Sequence, residues 1–208
     1  MVDVGAARRH SHVVTVATLL RNPILFVASG FWIGSIPFGV LLAGRRGVDI
    51  RQQGSGNIGA TNVARVLGLR AGLIVLVLDA LKGALPTYLA LANGPGRWVV
   101  VATGLAAILG HCFSPWLGYR GGKGVATALG VFAVIAPAAV VVALGVFAVV
   151  FAATRVPALG SLAGAAAITA TLVVRGAPTA YTTLAVVTTL LLIYTHRGNL
   201  QRLRDKRR

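Results

Sequence analysis

Six apolar stretches, at about residues 24–44, 69–92, 97–117, 125–153, 156–174 and 178–195, take up most of this 208-residue chain. Most hold about 18–24 residues, the length that spans a hydrocarbon core of roughly 30 Å as a helix. Within lipid a backbone must satisfy its own hydrogen bonds, which a helix does. An all-α integral membrane protein is therefore expected, a bundle of transmembrane helices. The helices are rich in Ala, Gly, Val and Thr, and small residues let helices approach closely in lipid. Composition agrees: 56% of the residues are apolar and 12% charged, against about 25% charged in a soluble domain. A soluble enzyme and a disordered tail protein are both excluded.

The stretch at 125–153 is the outlier. As one helix its 29 residues would be about 43 Å long, and Pro137 lies inside it. It is either one tilted span or two segments broken near Pro137. Cytoplasmic loops carry an excess of Lys and Arg. With the amino terminus outside, the split puts 14 positive residues inside and 5 outside (Arg8, Arg9, Arg21, Arg97 and Arg175). The split is adopted, giving seven segments with short or broken helices near Pro137, the N-terminus outside and the C-terminus cytoplasmic. Half-length segments would not each cross the core, so one or both should be tilted, buried or re-entrant. Residues 1–22 read as a poorly ordered N-terminal extension, 23–196 as the membrane-embedded domain and 197–208 as a basic cytoplasmic tail. No secretory signal is expected.

The charge that remains is lopsided: 20 Lys and Arg against 4 Asp, with no Glu, for a net +16. Such an excess implies an anionic partner: nucleic acid, lipid headgroups or a phosphorylated substrate. The acids Asp3, Asp49, Asp79 and Asp205 are dispersed, which disfavours paired-carboxylate catalysis and a carboxylate cage for magnesium or calcium. One cysteine, Cys112, excludes an internal disulfide and a Cys-based zinc cluster. No metal or cofactor is expected.

Four polar features stand out. Gly54-Ser55-Gly56-Asn57-Ile58-Gly59-Ala60-Thr61-Asn62, followed by Arg65, combines glycines that let N–H groups approach an anion with Ser and Asn donors and a helix start. Asp79 and Lys82 lie three apart on one helix face inside an apolar segment. They are either a structural ion pair or a substrate contact, since intramembrane charges face the interior or a water-filled cavity. Next comes Gly110-His111-Cys112, leading to Gly121-Gly122-Lys123-Gly124-Val125-Ala126-Thr127. This Gly-Gly-Lys-Gly turn can wrap a phosphate with Lys123 as a point charge. It is not a Walker A loop, because Gly124 stands where Ser or Thr is required. His111 is either a hydrogen-bonded structural group or a base. Last, His196 and Asn199 can share a helical face at the end of the final segment. Beyond Arg202 the tail reads as a contact for anionic lipid.

Together with Gly34-Ser35-Ile36-Pro37, these motifs occur in the order seen in a known family. The chain resembles the bacterial acylphosphate-dependent glycerol-3-phosphate acyltransferases, the PlsY type, over about residues 24–203. The resemblance implies a seven-segment protein of the bacterial inner membrane with its active site facing the cytoplasm. It implies transfer of a fatty acyl group from acylphosphate to the 1-hydroxyl of glycerol 3-phosphate, giving lysophosphatidic acid and inorganic phosphate in phospholipid biosynthesis. Carried over, it points to Ser55, Arg65, Lys123, His196 and Asn199 as catalytic and phosphate-binding groups. The expected substrate-binding residues are Gly54, Gly56, Asn57, Gly59, Asn62, Asp79, Lys82, His111, Gly121, Gly122, Gly124 and Thr127. The expected partners are the two substrates and membrane lipids, without nucleic acid, and the chain is read as a monomer. Two departures are visible. The family has proline directly after the position of Phe113, whereas here Ser114 intervenes before Pro115. After Arg202-Leu203 the family often has Gly-Glu, and here Arg204-Asp205 follows.

Acylphosphate is already activated, so the protein must mainly supply orientation and charge stabilisation. No Ser-His-Asp set is apparent in the sequence. The His-x4-Asp pattern of other glycerolipid acyltransferases is absent, since Trp116 lies five residues after His111 and Gln201 five after His196. A substrate phosphate that removes the hydroxyl proton fits this inventory, with Ser55 as a phosphate ligand. The rival reading is a small transporter of an anion or phosphate ester, built on the same basic loops and buried pair.

Overall fold

The computed structural model describes residues 22–94 and 96–205. Apart from Asn22, the expected N-terminal extension lies outside these residues, as do the last three residues of the tail. The described chain is helical and contains no strand. Helix α1 is Pro23–Gly34, α2 Phe38–Gly44, α3 Ala60–Leu67, α4 Leu69–Asn93 and α5 Arg97–Cys112. A single 3-10 turn, Pro115–Leu117, precedes α6 (Val125–Ile135), α7 (Pro137–Thr154), α8 (Pro157–Val174) and α9 (Thr179–Asp205). Asn22 starts α1 by accepting the Ile24 N–H at 2.9 Å, with Pro23 in the first turn where its missing donor costs nothing.

Among the described residues, six helical stretches are long and apolar enough to cross a membrane: Pro23–Gly44, Leu69–Asn93, Arg97–Leu117, Pro137–Thr154, Pro157–Val174 and Thr179–Asp205. The expected break in 125–153 is present, and it is unequal. Helix α6 ends at Ile135, and Pro137 opens α7 after Ala136, whose φ of −153° and ψ of 60° are not helical. With 11 and 18 residues, the two are about 16 and 27 Å long. Gly124 before α6 and Arg155 after α7 line one cavity.

The stretch at 24–44, expected as one segment, is interrupted between Gly34 and Phe38. Pro37 has no N–H to continue the ladder, and the freed carbonyls need partners inside lipid. The Ser114 hydroxyl donates to the Ser35 carbonyl at 2.7 Å and the Lys82 ammonium to the Ile36 carbonyl at 2.8 Å. The indole N–H of Trp116 donates to the Ser35 hydroxyl at 2.9 Å. Ser114, one of the two departures from the family pattern, thus secures the interrupted span. At the other end of the chain, α9 continues unbroken through residue 196 to Asp205, and the boundary drawn there is not a structural break.

Helix α5 sits at the centre, packed on α1, α4, α6 and α9. Its contact with α1 depends on absent side chains. A Cβ on Gly34 would enter the backbone of Ala107, and one on Gly110 would meet the Phe31 carbonyl. The α4–α6 contact is built the same way, with Gly83 against Thr127 and Gly130 against Ala80. Such close approach is how helices gain dispersion contacts in lipid. The main core gathers Ile108, Val131, Phe132, Leu184 and Ala185. A second cluster, with Ala43, Ile50, Ile58, Val63 and Val75, seats the polar loop 45–59 on α2, α3 and α4.

Gly34→Val should force α1 off α5 and lower the melting temperature in detergent, overpacking of this kind costing about 1–3 kcal/mol. Gly145→Ala is the control: nothing lies within 4 Å of a Cβ there, and in a helix interior the change is expected to be neutral or stabilising. Thermal unfolding of the two variants measures the difference.

Candidate active site

The loop Gly54–Gly59 is shaped by one side chain. Asn62, 2% exposed, accepts the Ser55 N–H at 2.8 Å and donates to the carbonyls of Gln53 and Asn57, both at 2.9 Å. Asn57 closes the next turn by accepting the Gly59 N–H at 2.9 Å. Gly54 and Gly56 have φ of 61° and 72°, a region that side chains disfavour. A Cβ on Gly54 would also strike the Asn62 carboxamide oxygen. The loop is therefore held open by its own hydrogen bonds, with Asn57, Asn62 and the glycines as builders and Ser55 exposed at its tip. Gly59 then caps α3, whose first turn (Ala60 and Thr61) and Arg65 border the cavity described below.

The second loop returns on α5. The N–H groups of Gly121 and Gly122 donate to the carbonyls of Cys112 and His111, each at 3.0 Å. Gly122 lies against the His111 ring, where a Cβ would clash. These two amides are committed to closing the loop, unlike the phosphate-wrapping role expected from Gly-Gly-Lys-Gly. What the closure achieves is to aim Lys123, whose ammonium donates to the Asn199 side-chain oxygen at 2.7 Å. The Thr195 hydroxyl fixes the Lys123 carbonyl at 3.0 Å. Partial burial, with repulsion from Arg202 and Arg65, lowers the Lys123 ammonium from 10.5 to about 8. Because α9 runs past residue 196, His196, Asn199 and Arg202 recur at three-residue spacing on one face. The His196 Nδ1 lies 2.8 Å from the Leu192 carbonyl. A carbonyl only accepts, so the hydrogen-bond pattern assigns the proton to Nδ1 and leaves Nε2 as the acceptor in the neutral ring.

These elements surround a cavity of about 660 Å³. Of the residues expected from sequence, Ser55, Asn57, Gly59, Asn62, Arg65, Asp79, His111, Lys123, Gly124, His196 and Asn199 line it. Gly54, Gly56, Lys82, Gly121, Gly122 and Thr127 do not. Thr127 is fully buried and backs Gly83. Lys82 points away from the cavity, to Asp79 at 2.8 Å and to the Ile36 carbonyl. Of the two readings of the buried pair, the structural one describes Lys82. Asp79 contributes to the cavity wall with its charge matched, and His111 Nδ1 lies 3.7 Å from it. Sequence reasoning did not place Thr61, Arg155, Ser161, Thr188 or Arg202 in the site, yet all line the cavity. Arg155 and Arg202 carried a signal, since both are cations at the basic ends of apolar segments. Ser161 and Thr188 sit in apolar helices with nothing to mark them.

Four cations, Arg65, Lys123, Arg155 and Arg202, thus border one cavity. Much of the rest of its lining is apolar, with Leu73, Leu76, Leu129, Phe132, Leu144 and Phe147. Such a lining attracts an anion that also carries apolar surface. Fold and cavity together define an integral membrane protein with a cavity shared by cationic and apolar side chains. The glycerol-3-phosphate acyltransferase family matches residues 24–206, and the chain belongs to it. The protein is therefore an acyltransferase of phospholipid biosynthesis. It is 52% identical over 179 residues to the glycerol-3-phosphate acyltransferase of Myxococcus xanthus (85% of this chain, 93% of the relative). The Geobacter metallireducens protein of that name is 55% identical over 182 residues, covering 87% and 93%. Among solved structures, the fold is similar to PlsY, an integral membrane glycerol 3-phosphate acyltransferase, in its glycerol 3-phosphate form. The TM-score is 0.86 at 40% identity, covering 89% of this chain and 93% of that one. The lysophosphatidic acid form of the same protein gives a TM-score of 0.84 at 39% identity, with the same coverage.

Lys82→Met should destabilise the protein by about 3–5 kcal/mol, because it leaves Asp79 buried without its counter-charge. Lys82→Met combined with Asp79→Asn should recover part of that loss. Chemical or thermal unfolding of the single and double variants decides it; equal losses in both would show that the pair is not coupled.

Proposed function

We propose that this protein transfers a fatty acyl group from acylphosphate to the 1-hydroxyl of glycerol 3-phosphate. The single observation that carries this reading is the division of the cavity. Arg65, Lys123, the open Ser55 hydroxyl and the start of α3 line it together, and most of the remaining lining is apolar. A fatty acylphosphate has the same division, and glycerol 3-phosphate brings a second phosphate to the same charges.

In the proposed reaction the glycerol 1-oxygen attacks the acyl carbonyl carbon. The bond from that carbon to the bridging phosphate oxygen breaks, the hydroxyl proton passes to a phosphate oxygen, and inorganic phosphate leaves beside lysophosphatidic acid. One feature favours a substrate phosphate as the proton acceptor. Asp79, the carboxylate in the wall, is tied to Lys82. His196 uses Nδ1 on the Leu192 carbonyl, leaving Nε2 to orient the hydroxyl. Lys123, held by Asn199, and Arg65 then stabilise charge on the leaving phosphate. Ser55 acts as a phosphate ligand and is not acylated.

The reading extends to placement. The amino terminus lies outside, seven segments cross or enter the membrane of the bacterial cell, and the cationic end of the cavity faces the cytoplasm. What supports this is that Arg65, Lys123, Arg155 and Arg202 share one cavity, and that the positive-inside rule assigns the loops and tail bearing them to the inner side.

Purified protein in detergent, given acylphosphate and glycerol 3-phosphate, should release inorganic phosphate. Lys123→Ala should slow this by about 10²–10³-fold, the scale for removing one stabilising donor of transition-state charge. No release would defeat the acyltransfer reading in favour of transport, which needs two compartments, and a trapped acyl-Ser55 would defeat direct transfer. A pH profile gives an independent check. With the Lys123 ammonium at about 8 in the free protein, kcat/KM should hold below that pH and fall above it as the cation is lost. Lys123→Arg should remove that alkaline fall, because a guanidinium stays charged.

A further inference from the structure

Arg155 is the least economical residue in the cavity wall. It follows the last residue of α7 with φ 56° and ψ 18°, in the left-handed region. Its N–H closes the helix on the Phe151 carbonyl at 2.8 Å. This is the position where helices most often end on glycine, because a side chain is strained there. Most other left-handed positions in the described chain follow that rule, and the only other exception is Tyr119. Tyr119 lies outside the cavity wall, whereas Arg155 is part of it. Its guanidinium has no carboxylate partner among the described residues. The ion pairs there join Asp49 to Arg51, and Asp79 to Lys82 and His111. The guanidinium is exposed, so a strained residue at a cavity edge keeps five donors available to an entering anion.

The proposed reaction brings two phosphates to one cavity, and they repel each other. Arg65 and Lys123 reach it from α3 and from the loop before α6, and Arg202 from α9. Arg155 reaches it from the α7–α8 corner, which contributes no other cation among the described residues lining the cavity. We infer that Arg155 forms part of a second phosphate subsite, receiving the phosphate of one substrate on the α7–α8 side while Lys123 and Arg65 hold the other. The inference rests on the acyltransfer reading for the identity of the two phosphates. Its physical core, an anion held by Arg155, does not depend on turnover.

Arg155→Gly separates this role from a structural one. A merely structural residue should be improved by glycine, since the strain is relieved. The expected result is a melting temperature equal to or above wild type, together with a KM raised about ten- to a hundredfold for one of the two phosphates, the scale of losing charge-assisted hydrogen bonds. Whether the KM for acylphosphate or for glycerol 3-phosphate rises tells which substrate occupies the subsite. Arg155→Lys should restore part of the affinity, by charge without the bidentate fork. Wild type that is active, with Arg155→Gly unchanged in both KM values, overturns the inference and leaves the acyltransfer reading standing. Calorimetry with inorganic phosphate covers the case of no turnover. Weaker binding to Arg155→Gly than to wild type supports the subsite, and equal binding overturns it.

Discussion

The buried ammonium of Lys82 links the interrupted first span to the wall of the cavity. Pro37 leaves backbone carbonyls without helical partners at membrane depth, where such groups cost several kcal/mol each. Lys82 donates to one of them, lies at the carbonyl end of α1 where a cation is favoured, and is itself neutralised by Asp79. Its ammonium also sits 5.7 Å from the centre of the Phe38 ring, at the start of α2. One residue of α4 therefore fixes α1, α2 and the cavity wall against each other. The Ser114 and Trp116 contacts to Ser35 do the same from the far end of α5. Displacing α1 would strand Lys82, and with it the carboxylate that lines the cavity.

The two polar loops follow a common plan. In each, internal hydrogen bonds hold the backbone, so that a few side chains are free to face the cavity. Asn62 uses its carboxamide on the backbone around Ser55. Gly121 and Gly122 use their amides on α5, and Lys123 is what emerges. A loop that spends its donors on itself arrives rigid, and rigid donors stabilise developing charge without reorganising at the moment of reaction.

That plan also explains how far the sequence could be read. Apolar length located the helices, because in lipid length and composition leave little choice. The Pro137 break was legible because a 29-residue stretch outruns an untilted span and the count of positive charges favoured splitting it. The Pro37 break was not, since 24–44 has the length of a single ordinary span and the residues that rescue its carbonyls lie 46 and 79 positions away. Within the site, charged and glycine-rich motifs stood out against apolar helices, which brought Arg65, Lys123, His196 and Asn199 forward. Motif reading could not tell a residue that builds a loop from one that faces the cavity. Asn62 and Gly121 look as functional in sequence as Ser55 and Lys123. Arg155 was counted only as a topology charge, because its neighbours are apolar and its strain is a property of φ, which no spacing reveals.

Gathering four cations at one cavity has a thermodynamic consequence. With nothing bound they repel one another, and the effect is visible at Lys123, whose ammonium is lowered to about 8 by burial and by Arg202 and Arg65. An anion entering the cavity reverses the repulsion, so it is held both by direct contact and by relief of the mutual destabilisation of its hosts. Linkage then requires that binding raise the proton affinity of Lys123. Above pH 8 an incoming dianion must draw a proton onto this residue, and below it the charge is already in place. The apolar wall alone would hold a fatty chain regardless of its headgroup. Only the cations make occupancy depend on the anion, and they come from the polar loops, the α7–α8 corner and the last turns of α9.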